Sequence, residues 1–240
     1  METRYMKGIW WKILAVALLF YSFIFGLKGD VPHLPILRET IRNLYFHVPM
    51  WFSMVVMMGA SMVFGIKHLA EKEGRNKAVL ENDTKSVLFA TSGLVFAILG
   101  LLTGMLWAKF TWGAFWTNDP KLNGSAITLL IYLAYFVLRG SIEDNEKKAQ
   151  VSAVYNIFAF VLMIVFIGVL PRLTDSLHPG NGGNPAFGSY DLDNGMRAVF
   201  YPAVLGWILF GFWLTNVKIR MKRVSKVLDK KQDKFYESIL

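Results

Sequence analysis

The sequence predicts an all-α, polytopic membrane protein with about six transmembrane helices and both termini cytoplasmic. Two observations give the fold and a third gives its orientation. Of the 240 residues, 54% are hydrophobic, more than a soluble chain of this size needs for its core. Six apolar stretches, near 9–27, 48–66, 86–108, 122–138, 151–170 and 198–216, each approach the ~20 residues that cross a hydrocarbon core of ~30 Å. They are apolar all round, and a chain this short cannot enclose six such helices in water. With six spans the termini share one side, and 19 of the 26 Lys and Arg residues fall there, against 7 on the other. Basic loops stay in the cytoplasm.

Arg4 and Lys7 precede the first stretch. Its apolar run is too long for a signal peptide, and no small-x-small cleavage site follows Leu27, so it reads as a retained span. The outward segment 28–47 begins with Pro32 and Pro35 and turns Arg-rich and helical in pattern. His47 ends it, and Pro49 is placed to open the second helix, where a first-turn amide has no partner to lose. The third stretch carries Ala90, Gly93, Ala97, Gly100 and Gly104 on one helix face. Small faces let helices approach closely in lipid; a substrate groove is the other reading.

Segment 109–121 faces outward and reads KFTWGAFWTNDPK. Its Asp119-Pro120 pair is a helix start in its own right, with Asp as cap and Pro at the first helical position. The outward segment 171–195 is rich in Gly and Pro and holds His178. The cytoplasmic loops 67–85 and 139–150 are polar and charged. The basic tail has Met221, Val224 and Leu228 at helical spacing, suited to headgroups or a partner. The net charge of +9 is therefore a topology signal and not one for nucleic acid. Residues 1–240 are expected to form a single integral domain in the lipid bilayer, with no nucleic-acid partner.

The polar residues with chemical potential sit at the outer edge. His47 lies in Tyr45-Phe46-His47-Val48-Pro49, and His178 in Ser176-Leu177-His178-Pro179-Gly180. Neutral imidazole ligates haem iron, and two histidines from different segments could take one iron from opposite faces. The plainer reading of each is an interfacial polar residue or a cap. His33 is also outside, among prolines, and is a weaker candidate. His68 reads as solvated in a charged cytoplasmic loop, and no histidine falls in a span.

Between the two histidines come Trp107, Phe110, Trp112, Phe115 and Trp116, interleaved with Gly113 and ending at Asp119. Interfacial aromatics commonly anchor a helix end. So dense a set of rings could equally offer a shelf to a flat porphyrin. The chain has no cysteine. That excludes thiol redox chemistry, thiolate metal sites and covalent attachment of haem through Cys-x-x-Cys-His.

Trp112-Gly113-x-x-Trp116-x-x-Asp119 resembles the WWD signature of the haem-handling proteins of cytochrome c biogenesis, the CcmC, CcmF and CcsA group. The flanking histidine motifs, the six spans and the length make the resemblance one to the CcmC type, over most of the chain. Phe115 stands where that family usually has another tryptophan. Thr117-Asn118 and Pro120-Lys121 replace a more aromatic, Arg-containing ending.

The resemblance implies that haem b is held non-covalently and transiently at the outer face. His47 and His178 would be its axial ligands, and Trp112, Gly113, Trp116 and Asp119 its platform. The haem would pass to the haem chaperone CcmE for cytochrome c maturation, with the ABC-transporter subunits CcmA and CcmB and the small protein CcmD as partners. The membrane would be the bacterial cytoplasmic (inner) membrane, with the haem site facing the periplasm. No substrate bond need break, so no enzyme is expected. Lys121 and Arg172, with Lys109, are the basic residues nearest in sequence to meet the haem propionates.

Three other readings compete. A CcsA-type cytochrome c synthase component normally has more spans and histidines inside the membrane. An electron-transfer cytochrome b places histidine pairs within facing helices. A small-solute transporter carries charged residues within spans or broken helices, and the apolar stretches here hold almost none. Topology is directly testable: a cysteine introduced at position 183 should react with a membrane-impermeant reagent from the outer face. Labelling from the cytoplasmic face only would reverse the orientation.

Overall fold

The computed structural model describes residues 8–71, 76–178 and 192–237, and among these no strand occurs. Six long helices account for most of them. They are α1 (Trp10–Lys28), α2 (Leu44–Ala70), α3 (Asn76–Trp112), α4 (Pro120–Ser141), α5 (Asn145–Ile164) and α6 (Asn194–Glu237). A 3₁₀ turn, Arg38–Asn43, feeds directly into α2, and α5 continues through a π turn, Val165–Val169, to Leu173. All six are long and apolar enough to cross a membrane. The chain is an all-helical, multi-pass membrane protein.

Lipid supplies no hydrophobic drive for helix to meet helix, so close packing and hydrogen bonds must hold the bundle together. α2 sits at its centre, against α3, α5 and α6; α4 covers α3 and α5, and α1 lies chiefly on α6. The α2–α3 seam is antiparallel. Gly93 faces Met58, Gly100 faces Trp51 and Gly104 faces His47; a methyl group at these glycines would come within 2.8, 2.9 and 2.6 Å of those side chains. The small-residue stripe is therefore a packing face, and the large side chains of α2 fill it. Met50, Met54, Met57 and Met58 make the middle of the core with Phe89, Phe96, Tyr132, Tyr135 and Met163.

Few polar groups lie inside, and most of them bind across helices. Ser61 Oγ donates to the Ser86 carbonyl at 2.7 Å, and Ser86 Oγ donates back to the Ser61 carbonyl at 2.9 Å. Asn156 Nδ2 donates to Ser61 Oγ at 2.8 Å, which ties α5 to the seam. Thr215 and Ser92 join α6 to α3 at 2.8 Å. Arg139 grips Asp83 with two bonds of 2.8 and 2.6 Å, and so joins α4 to α3.

Helix ends depart from the sequence expectation in one direction: they run further. α3 has 37 residues and α6 has 44, because good helix formers continue past the apolar runs. Residues 109–112 are the last turn of α3, so the loop between α3 and α4 is only 113–119. Pro49 does not open α2. It is the sixth residue of a helix that the 3₁₀ turn has already started. His47 consequently lies inside the first turns of α2, and only 7% of it is exposed. His68 is likewise not solvated in a loop: α2 runs on to Ala70 and buries it to 5% exposure. The expectation that no histidine falls in a span is corrected by the same extension, since both belong to α2, one near each end.

The tightest helix contact is at Gly124 of α4. A methyl group there would be driven into the Phe166 carbonyl oxygen in the π turn, and backbone cannot swing aside as a side chain can. Gly124→Ala should cost about 1–3 kcal/mol and lower the thermal midpoint of the purified protein in detergent. An unchanged midpoint would show that α4 and the π turn are not in close contact.

Candidate functional site

The C-terminal end of α3 positions both motif histidines. His47 presents its ring to α3 at Gly104, where only a hydrogen leaves room for it. Its Nδ1 lies 3.1 Å from Thr103 Oγ1. That hydroxyl also lies 2.7 Å from the Leu99 carbonyl and 3.1 Å from the Gly100 carbonyl. Carbonyls only accept, so the single hydroxyl proton is used there, and toward His47 the oxygen accepts. Nδ1 of His47 therefore carries the ring proton, and Nε2 keeps its lone pair. Trp51 and Trp107 stand edge-on to the ring at 6.2 and 5.8 Å. Trp107 is held by its own bond, Nε1 to Thr40 Oγ1 at 3.1 Å.

His178 follows α5 and is fixed by Asp119. Asp119 caps α4 as its Asp-Pro sequence suggests: Oδ1 accepts from the amides of Lys121 at 2.9 Å and Leu122 at 3.4 Å. The same buried carboxylate also reaches across the chain. Oδ2 accepts from Ser176 Oγ at 2.8 Å and the Leu177 amide at 2.7 Å, and Oδ1 lies 2.8 Å from His178 Nδ1. Burial pushes the Asp119 pKa up. The hydrogen bond and charge of His178, with the bonds from Ser176 and Leu177, outweigh it and hold the carboxyl below the usual carboxylate range. An ionised carboxylate only accepts, so His178 too carries its proton on Nδ1. Trp112 meets its ring edge-on at 4.8 Å.

Both imidazoles thus have Nδ1 engaged by a side chain and a tryptophan alongside. Such a pair suits an iron that arrives in its own ring of ligands. Among the described residues no group of three or more His, Cys, Asp or Glu could hold a bare metal ion.

The loop between α3 and α4 is set by Gly113, whose φ of +84° favours glycine. Its amide bonds the Lys109 carbonyl at 3.1 Å, and Lys109 Nζ returns to the Gly113 carbonyl at 2.9 Å. Of the five aromatic rings, Trp107 and Trp112 meet the histidines. Phe110, Phe115 and Trp116 are exposed, the last to 42%. Lys121 is half-buried at the start of α4; Arg172 is exposed and donates to the Gly168 carbonyl. His33 is exposed. Pro179 and Gly180 of the second histidine motif lie outside the described residues.

Thr103 and Trp51 are absent from the sequence-derived site. Thr103 could have been found on the flank of the small-residue face, since it falls three residues after Gly100 and directly before Gly104. A cavity of about 750 Å³ lies elsewhere. It is lined by His68, Glu71, Tyr155 and Phe158 among others, about 30 Å along α2 from His47 at 1.5 Å per residue. It has a single histidine and none of the paired geometry above.

The family model described as heme exporter protein C matches residues 3–234. Heme exporter protein C of Escherichia coli (strain K12) is 25% identical over 237 residues, covering 96% of this chain and 89% of the relative. The protein of the same name from Paracoccus denitrificans is 26% identical over 206 residues, 79% of this chain and 77% of its own. Cytochrome c biogenesis protein CcsA of Atropa belladonna is 24% identical over 162 residues, 66% of this chain but 51% of the relative.

Asp119→Asn separates capping from anchoring, because Asn caps a helix about as well as Asp but its amide nitrogen cannot accept. The variant should keep α4 and release Ser176, Leu177 and His178. With its pKa depressed, the wild-type carboxylate contributes its full stability above the unfolded value of about 3.9 and loses it only as pH falls further. Protection of the Leu177 amide from hydrogen exchange, corrected for intrinsic rate, should therefore stay flat from pH 7 to 5 in the wild type. In the variant it should already be lost at pH 7. Loosening of the wild type within that range would contradict the pairing.

Proposed function

This chain belongs to the heme exporter protein C family, and from that premise we propose that it holds haem between His47 and His178 and delivers it to a haem chaperone for cytochrome c maturation. The observation that carries the reading is the matched pair of imidazoles, each with its Nδ1 held by a neighbouring side chain, Thr103 for His47 and Asp119 for His178. Metal-binding histidines depend on such a partner at the second nitrogen, which fixes the tautomer and raises donor strength. Two neutral imidazoles on one iron make a six-coordinate haem.

The haem is cargo, a b-type group held without covalent bonds, and the chain has no cysteine to form a thioether. Trp107 and Trp112 would wall the site, and the exposed Trp116 and Phe115 would extend the shelf over the porphyrin. Lys121 and Arg172, with Lys109, would meet the propionates. The membrane is the bacterial cytoplasmic membrane, the site faces the periplasm and both termini lie inside. The chaperone is of the CcmE kind, and CcmA, CcmB and CcmD are the further partners. The role is binding and transfer, with no catalytic residue.

His47→Ala or His178→Ala should shift the haem spectrum from low-spin toward five-coordinate and reduce retention, while His33→Ala and His68→Ala should leave it alone. Trp112→Ala and Trp116→Ala should lower haem per protein several-fold at unchanged protein level, since a lost ring contact is worth about 0.5–1.5 kcal/mol beyond its area. Pyridine haemochrome on matched membranes measures both. Unchanged spectra in both motif-histidine variants would end the axial assignment. Full occupancy in both tryptophan variants would reduce the loop to an interfacial belt.

A further inference from the structure

We infer that the face of the α6 extension turned away from α3 is a docking site for an acidic amphipathic helix of another protein. α6 runs unbroken for 44 residues, about 66 Å at 1.5 Å per residue and roughly twice the hydrocarbon thickness. Its apolar run ends near residue 216, so some 30 Å of helix continues beyond it. This part stands beside the start of α3. Lys218 Nζ lies 3.3 Å from Ser92 Oγ, Arg223 pairs with Glu81, and Lys226 Nζ lies 3.5 Å from Thr84 Oγ1. A helix tied along α3 in this way is not lying flat on the headgroups.

The residues that face α3 mark one side of the extension. By the 3.6-residue repeat, Val217, Met221, Val224 and Leu228 fall on the opposite side. They line one shallow groove and are 40, 66, 58 and 58% exposed. Their spacing of four, three and four is that of a helix–helix seam. Over 218–231 the extension has seven Lys or Arg and one acidic residue, Asp229; Arg220 and Asp229 line the groove itself, and Lys231 follows Leu228 on the Arg220 side of the seam. A second copy of this chain would bring like charges together, which disfavours pairing. A helix with an apolar stripe and acidic flanks satisfies both the seam and its rim.

The surface is at the far end of the bundle from His47 and His178, so its test does not depend on the haem reading. A photo-crosslinking residue is placed at Val224 in the full-length chain, in native membranes, with a control at Lys226 on the side facing α3. The expected result is capture, from position 224 alone, of one protein through a net-acidic helical segment. Arg220→Glu with Lys231→Glu should cut that capture about tenfold and leave haem per protein unchanged. Reversing the acidic residues of the captured segment to Lys should restore it. Capture of lipid, of a second copy or of a basic segment overturns the proposal, as does no capture at all.

Discussion

Three missing side chains on α3 govern the rest of the molecule. With Gly93, Gly100 and Gly104 bare, α2 comes close enough to seat Met58, Trp51 and His47 against the α3 backbone. In lipid, such contact replaces the hydrophobic drive that would hold a soluble bundle together. It also fixes register. Two helices that share three interlocking positions cannot slide by a residue without driving rings into backbone. The depth of His47 in the bundle is thus set by packing some 15 Å away at Gly93, about ten residues along the helix.

A second joint depends on the first. Once α3 ends at Trp112, the chain turns through 113–118 to Asp119, whose carboxylate is both the cap of α4 and the tether of the segment after α5. Burying a charge is costly unless hydrogen bonds and opposite charge offset it. Here amides, a hydroxyl and an imidazole do so together. The seam places one histidine and the carboxylate the other, and α3 connects the two because Thr103 and Trp112 stand on it.

The six spans were legible because long apolar runs have no alternative in so short a chain. Their ends were not. α2, α3 and α6 continue through polar residues that look like loop when hydropathy alone is weighed, and this misplaced Pro49, His68 and residues 109–112. At the site, the Asp119 cap could be read from Asp-Pro, but its bond to His178 spans 59 positions, and no local pattern encodes that distance. Thr103 reads as an ordinary helical threonine bonding back to Leu99, and its role toward His47 exists only once α2 is packed. Trp116 fits the signature yet is exposed, whereas Trp107 lies outside the signature and stands beside His47.

The two imidazoles are not backed alike. Behind His178 is a carboxylate, and behind His47 a hydroxyl already occupied by main-chain carbonyls. A hydrogen bond to an anion draws an imidazole toward imidazolate and makes it the stronger electron donor; a neutral acceptor does this less. An iron shared between them would therefore be electronically lopsided. Ferric iron favours the richer donor more than ferrous iron does, so the oxidation state of the cargo would change how evenly the two sides hold it.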